Sequence, residues 1–235
     1  MEISNTYSIV GSVIVYALVV YGSFEVSVIG NIFASWAISP LLAITLAFTL
    51  YKLFTRLFKN FLDNARFQHI ISIAHIVSLC FSAYGFGANN IGLATGAFVA
   101  VTQEVAELPD HSTMLILTLF STLGIAVGGL TWEHRVIRTI AFKIVRIKAL
   151  SGLATQTTNA LIVFLFITIP YLYLGYGLPI STSIVGIEAL IGTALAKKEG
   201  MINKRTMGLL VLTLVLTIPV TASISATLYI ILHIR

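Results

Sequence analysis

The sequence predicts an all-α integral membrane protein of about seven hydrophobic helical segments, with a partial inverted-topology repeat and broken helices. Three observations predict it. Hydrophobic residues make up 57% of the 235, charged residues only 10%, and the mean hydropathy is +0.98, which leaves too few charges to cover a water-soluble globule. Apolar stretches close to the roughly 20 residues a bilayer-spanning helix needs recur along the whole chain. Thirteen of the fourteen Lys and Arg residues fall in three clusters, Lys52 to Arg66, Arg135 to Lys148 and Lys197 to Arg205.

The segments are placed at roughly 6–23, 31–51, 67–100, 113–131, 152–175, 180–196 and 206–232. The first begins near Thr6 with no basic stretch before it and is followed by further spans, so it reads as part of the mature protein, not as a cleaved signal. The three basic clusters belong on the cytoplasmic side by the positive-inside rule. The connector from Ser23 to Gly30 carries only Glu25, and Val101 to Ser112 carries Glu104, Glu107 and Asp110 without a cation; both read as external. Alternation then predicts a multi-pass protein of the cell (plasma) membrane with Met1 cytoplasmic and Arg235 outside. Between Glu133 and Lys148, apolar Val136, Ile137, Ile140, Ile144, Val145 and Ile147 interleave with cations, the pattern of a basic amphipathic helix on the cytoplasmic membrane surface.

Composition also excludes function classes. The single cysteine, Cys80, lies in an apolar run, which rules out an internal disulfide or a cysteine-rich metal site. A net charge of +5 would suit nucleic acid only on a basic face of a soluble domain; here the cations flank membrane segments, so the partner is the lipid bilayer and no nucleic acid is expected. No span carries paired acids, a nucleophile with a base, or a metal-ligand cluster. Neither an enzyme nor a cofactor is expected.

One repeat is visible. Ile3, Ser4, Asn5 and Thr6 match Ile180, Ser181, Thr182 and Ser183 at a constant offset, which also brings Ala17 and Leu18 onto Ala194 and Leu195; a two-residue insertion aligns Pro40 with Pro219. An odd number of spans separates the copies, so the second crosses the membrane in the opposite sense. Inverted repeats of this kind build many secondary transporters.

Two membrane-depth stretches are rich in small and hydrogen-bonding residues: Gly85, Gly87, Ala88, Asn89, Asn90, Gly92, Thr95 and Gly96, then Gly177, Pro179, Ser181, Thr182 and Ser183. Both are predicted to interrupt their helices. Glycine permits close backbone approach, and the unpaired N–H groups of a half-helix favour an anion. The other reading of either stretch is close helix packing in lipid. Glu188 stands inside a span, where an ionised carboxylate is costly and marks a functional group by default; alternatively it reaches water near Lys197, Lys198 and Glu199. His75 reads as a helix-packing residue.

Two motifs carry a resemblance. Gly87-Ala88-Asn89-Asn90-Ile91-Gly92-Leu93-Ala94 and Leu178-Pro179-Ile180-Ser181-Thr182-Ser183-Ile184, in that order, resemble the Gly-Ala-Asn-Asp-Val-Ala-Asn-Ala and Leu-Pro-Val-Ser-Thr-Thr-His motifs of the inorganic phosphate transporter (PiT) family of secondary carriers. Glu2 to Gly11 resembles a degraded first copy of the second motif, and Ser35 to Leu42 is also similar to the family. The resemblance covers essentially the whole chain, without the N-terminal part of the first repeat. It implies residues 1–58 as the C-terminal part of the first repeat and 59–235 as the second. It further implies an alternating-access, ion-coupled symporter for inorganic phosphate or a similar tetrahedral oxyanion, sulfate being the alternative. Substrate would bind Asn89, Asn90, Ser181, Thr182 and Ser183, with Ser4, Asn5 and Thr6 as a weakened counterpart. Glu188 and Gln156 are the ion-coupling candidates, Na+ or H+ being the coupling ion. Asn90 stands where the family has an acid, and Gln156 where some relatives have glutamate, which puts sodium coordination there in doubt. A second polypeptide carrying the absent helices, or a homo-oligomer, is the expected partner; the rival reading is a truncated or accessory subunit that transports nothing.

Overall fold

The computed structural model describes residues 4–61, 64–105, 110–143, 149–198 and 204–233. Among these, all regular structure is helical: α1 (Asn5–Tyr21), α2 (Val26–Phe58), a 3-10 turn (Lys59–Phe61), α3 (Ala65–Val105), α4 (His111–Lys143), α5 (Ala149–Val163), a π turn (Phe164–Thr168), α6 (Ile169–Leu174), α7 (Thr182–Lys197) and α8 (Lys204–His233). Each of the seven predicted segments falls on a helix, with α5, the π turn and α6 together forming the fifth. Val26–Phe58, Arg66–Gly96, His111–Thr131 and Ala149–Leu174 are long and apolar enough to cross a bilayer; Asn5–Tyr21 and Leu216–Leu232 are shorter apolar helices. The fold is therefore that of an all-α membrane protein.

Local chemistry sets the ends. Gly22 and Gly175 close α1 and α6 with φ of 68° and 78°, a left-handed conformation glycine adopts without penalty. Asp110 accepts from the Thr113 N–H at 2.8 Å and caps α4. Within the helices, hydroxyls bond back to the carbonyl four residues earlier, as Thr45 does to Leu41 at 2.7 Å and Thr227 to Ser223 at 2.8 Å. Such bonds keep these hydroxyls from facing lipid unpaired.

The predicted break at Gly177 to Ser183 is real, because chain without helix joins α6 to α7. The predicted break at Gly85 to Gly96 is corrected: α3 runs through it without interruption. In lipid a broken helix strands backbone N–H and C=O groups at several kcal/mol each, whereas a glycine inside a helix costs about 1 kcal/mol. Gly85 serves packing instead, since a Cβ there would lie 2.9 Å from Val163 Cγ1. The basic segment after Glu133 continues α4 as far as Lys143; residues 144–148 lie outside the described set.

By packing, the chain forms two compact units. One comprises Met1–Gly30, Asn90–His134 and Lys204–Arg235. Its main contact sets α1 on α8: Gly11 faces Ile218 and Thr221, Ser225 donates to the Ser12 carbonyl at 3.2 Å, and the Tyr16 and Tyr229 rings meet edge to face at 6.1 Å. The other comprises Asn31–Asn89 and Arg135–Asn203. There Phe58 meets Phe67 at 5.1 Å, Phe81 meets Phe164 at 5.4 Å, and Thr155 and Thr193 hydroxyls lie 3.5 Å apart. Trp36 meets Pro179 and Ile44 meets Gly192, so α2 and α7 run one way; Ser78 meets Thr157 and Ser82 meets Asn159, so α3 and α5 run together, and Thr155 meeting Thr193 while Phe166 meets Leu178 sets them opposite to α7.

Candidate functional site

The chain that enters α7 is held by two side chains. Trp36 of α2 donates its indole N–H to the Pro179 carbonyl at 2.7 Å, and Asn89 of α3 donates its amide N–H to the adjacent Ile180 carbonyl at 2.9 Å. Trans peptide bonds point C=O and N–H in opposite directions, so fixing these two carbonyls also fixes the aim of the following N–H groups. Pro179 narrows the backbone further by locking its own φ. The result is a helix start whose orientation is set by α2 and α3, not by α7 itself.

That start is electrostatically open. Ser181 occupies the N-cap in extended conformation, φ −81° and ψ 103°, but its hydroxyl caps nothing. The first-turn N–H groups have no acceptor within the helix and carry the positive end of its dipole. Ser181, Thr182 and Asn89 are buried at 5%, 8% and 3% exposure, and Ser183 is half-buried. Hydroxyls and backbone N–H groups thus lie together at a helix start shielded from water. Asn89 contributes differently: its Oδ1 is buried and has no hydrogen-bond partner among the described residues.

Ser4 is the counterpart at α1 and differs in one respect. Its backbone is nearly the same, φ −75° and ψ 112°, yet its Oγ accepts from the Tyr7 N–H at 3.3 Å. The hydroxyl is used to close its own helix. Ser4 and Thr6 are buried and Asn5 is exposed. These three, with half-buried Asn90, belong to the first unit, whereas Asn89, Ser181, Thr182 and Ser183 belong to the second. The structure therefore brings Asn89 to the hydroxyl motif of α7 and assigns its chain neighbour Asn90 to other packing.

Glu188 lies seven residues beyond Ser181 on α7, two turns and about 10 Å along the same face. One of its carboxylate oxygens, Oε2, is buried with no partner among the described residues, and Glu188 is the only carboxylate among the described residues of its unit. Gln156 is half-buried on α5.

Sequence reasoning passed over a further polar group. Asn159 of α5 donates to Ser82 of α3 at 3.0 Å, and both its Oδ1 and the fully buried Thr158 hydroxyl have no partner among the described residues. The signal was the run Thr157-Thr158-Asn159 inside an otherwise apolar span. His75 instead lines a cavity of about 450 Å³ with Tyr51, Thr55 and Ser72. None of the predicted site residues borders that cavity. Among the described residues no three His, Cys, Asp or Glu side chains come together to hold a metal.

Comparison with known proteins decides the family. Residues 1–225 match the phosphate transporter family. The chain belongs to that family. It is a family of transporters, not of enzymes. The chain is 25% identical over 241 residues to the "Probable low-affinity inorganic phosphate transporter" of Bacillus subtilis, covering 98% of the chain and 68% of that relative. It is 25% identical over 146 residues to sodium-dependent phosphate transporter 2 of Xenopus laevis, 61% of the chain and 21% of the relative. It is 28% identical over 162 residues to the Bacillus subtilis sulfate permease CysP, 69% of the chain and 41% of the relative. The chain thus spans from about a fifth to about two thirds of the length of these family members. No solved structure matches it.

Proposed function

We propose that this chain is a secondary carrier, or a major part of one, that moves inorganic phosphate or a similar tetrahedral oxyanion by alternating access, coupled to an ion. The observation that carries the reading is the hydrogen bond from Asn89 to Ile180. It joins the two motifs across the chain at an uncapped helix start, where N–H and hydroxyl donors can collect around an anion with no fixed positive charge to hold it too tightly. Asn89, Ser181, Thr182 and Ser183 are assigned to this site, with Ser4, Asn5 and Thr6 as its weakened counterpart in the first repeat; Asn90, a proposed ligand of the same motif as Asn89, packs in the other unit.

The inverted repeat, with residues 1–58 in the first copy and 59–235 in the second, draws support from local geometry. α1 and α7 each start at an extended N-cap serine and are each followed by a long helix with an internal proline, Pro40 in α2 and Pro219 in α8. Each serine-capped helix packs on the proline helix of the other copy: α1 on α8, and α7 on α2. Glu188, with its unpartnered oxygen, is the proposed coupling group. It favours the proton over sodium, because the positions where the family pattern has acids carry Asn90 and Gln156 here. A plasma-membrane location with a cytoplasmic N-terminus is part of this proposal, supported by the basic clusters at alternate connectors. The Asn-bearing motif occurs once and the hydroxyl motif twice, so transport is proposed to need a second polypeptide that supplies further helices, or a homo-oligomer.

Uptake of radiolabelled phosphate into cells lacking their own phosphate carriers, with sulfate as competitor, tests this. Uptake that Ser181→Ala weakens by about tenfold or more at low phosphate is the expected result. Uptake by neither this chain alone nor any co-expressed partner would leave the accessory-subunit reading. Sulfate uptake in place of phosphate would make it a sulfate permease.

A further inference from the structure

We propose that Asn89 is a specificity-determining residue whose unpartnered Oδ1 accepts a hydrogen bond from the hydroxyl of a protonated tetrahedral anion, so that the site selects phosphate and arsenate over sulfate. This rests on the reading of the α7 start as the oxyanion site.

The argument begins with what Asn89 cannot do otherwise. The residue is 3% exposed, and its Nδ2 is fixed by the Ile180 carbonyl at 2.9 Å. That bond determines which amide atom is oxygen, because a carbonyl accepts only from N–H. Oδ1 is therefore a held, buried acceptor with no partner among the described residues. A buried acceptor left unsatisfied costs about 1 to 3 kcal/mol. Every other group assigned to the site, the Ser181, Thr182 and Ser183 hydroxyls and the first-turn N–H groups, can donate. Oδ1 is the one of these groups that can only accept, which matches an anion that accepts at most of its oxygens and donates at one.

Phosphate and arsenate carry at least one hydroxyl throughout the neutral pH range; sulfate and selenate carry none. A bare oxygen placed against Oδ1 would set two acceptors face to face and leave the amide unpaired. Sites built to bond a substrate hydroxyl reject analogues lacking it far more strongly than sites that exclude by size. Size and charge do not separate phosphate from sulfate here, since both are tetrahedral anions of similar dimensions.

Competition against radiolabelled phosphate binding to the purified full chain in nanodiscs tests this with five unlabelled anions: phosphate, arsenate, sulfate, selenate and monofluorophosphate. Monofluorophosphate is the decisive probe, a tetrahedral dianion with fluorine in place of the hydroxyl. Arsenate is expected to compete within about threefold of phosphate, and the three anions without a hydroxyl at least about 100-fold more weakly. In Asn89→Leu the gap should shrink to under about tenfold. The wild-type panel needs no variant to fold. Sulfate or monofluorophosphate competing as well as phosphate in the wild type overturns the assignment while leaving the carrier reading intact. Phosphate binding that requires sodium, and loses that requirement in Asn89→Leu, assigns Oδ1 to a cation and also overturns it. Binding of none of the five anions defeats the carrier reading, and this proposal falls with it.

Discussion

Gly192 of α7 lies so close to the Ile44 carbonyl of α2 that a Cβ there would collide with that oxygen, and it would also come within 2.9 Å of the Ala47 Cβ. Backbone cannot swing aside as a side chain can. Gly192→Ala should therefore part the two helices and destabilise the protein by about 1 to 3 kcal/mol. Thermal unfolding in detergent measures this. Gly186→Ala, at a position on the same helix with nothing within 4 Å, is the control and should be neutral or slightly stabilising.

The two N-cap serines should respond in opposite ways. Ser4→Ala removes the bond to the Tyr7 N–H and should cost about 1 kcal/mol with little effect on anion binding. Ser181→Ala removes a hydroxyl that caps nothing; it should leave stability nearly unchanged and weaken phosphate binding about tenfold or more. Paired unfolding and binding measurements on both variants check the contrast, and equal behaviour of the two would refute it.

Much of this was legible in the sequence because membrane helices announce themselves by apolar runs, and all seven expected segments fall on helices. The meeting of Asn89 with the α7 start was legible through the two motifs. The fate of Gly85 to Gly96 was not. Glycine content argues for a break, but in lipid the need to satisfy every backbone group outweighs propensity. Nor could sequence show that Asn89 and Asn90 pack in different units, because neighbours on a helix point about 100° apart and whichever partner each meets is a tertiary fact. The packing of α1 on α8 and of α7 on α2 was likewise invisible, since periodicity reveals which face is apolar and not what covers it.

The pair Asn159 and Ser82 offers a test of coupling. Ser82→Ala leaves the Asn159 amide without its acceptor and should cost about 1 to 3 kcal/mol. Adding Asn159→Leu removes the stranded group and should recover part of that loss. Strict additivity in the double-mutant cycle would mean that the 3.0 Å bond contributes nothing.

Replacement of Glu188 by Gln keeps shape and removes the titratable oxygen. Transport by the wild type should vary with external pH, and transport by Glu188→Gln should not. An unchanged pH profile in uptake assays excludes Glu188 as the coupling group.

Asp110 responds to pH at the surface. Its bonds with the Thr113 side chain and backbone hold its carboxyl below the usual range. A group whose pKa is lower in the folded state stabilises above its unfolded pKa and loses that contribution as pH falls through the folded value. The protection of the Thr113 amide relative to its intrinsic exchange rate should therefore fall as the solution is acidified below the ordinary aspartate range, and Asp110→Asn should remove most of that dependence.

The end of α6 has an electrical consequence. Tyr171, Leu172 and Tyr173 are 62%, 69% and 83% exposed, the composition of an interfacial belt at headgroup level. The chain then turns at Gly175 and folds back, with the Leu178 N–H bonded to the Phe166 carbonyl at 2.8 Å. Phe166 lies five to seven residues before the tyrosines, or about 8 to 10 Å deeper at 1.5 Å per residue. In a hydrocarbon core about 30 Å thick, the α7 start is a shallow well in one leaflet. An anion that binds at the proposed site from that face would cross roughly the first third of the membrane field to bind and the remaining two thirds to leave. With each elementary charge worth about 2.3 kcal/mol per 100 mV across the full field, the step beyond the proposed site would carry most of the voltage sensitivity of transport.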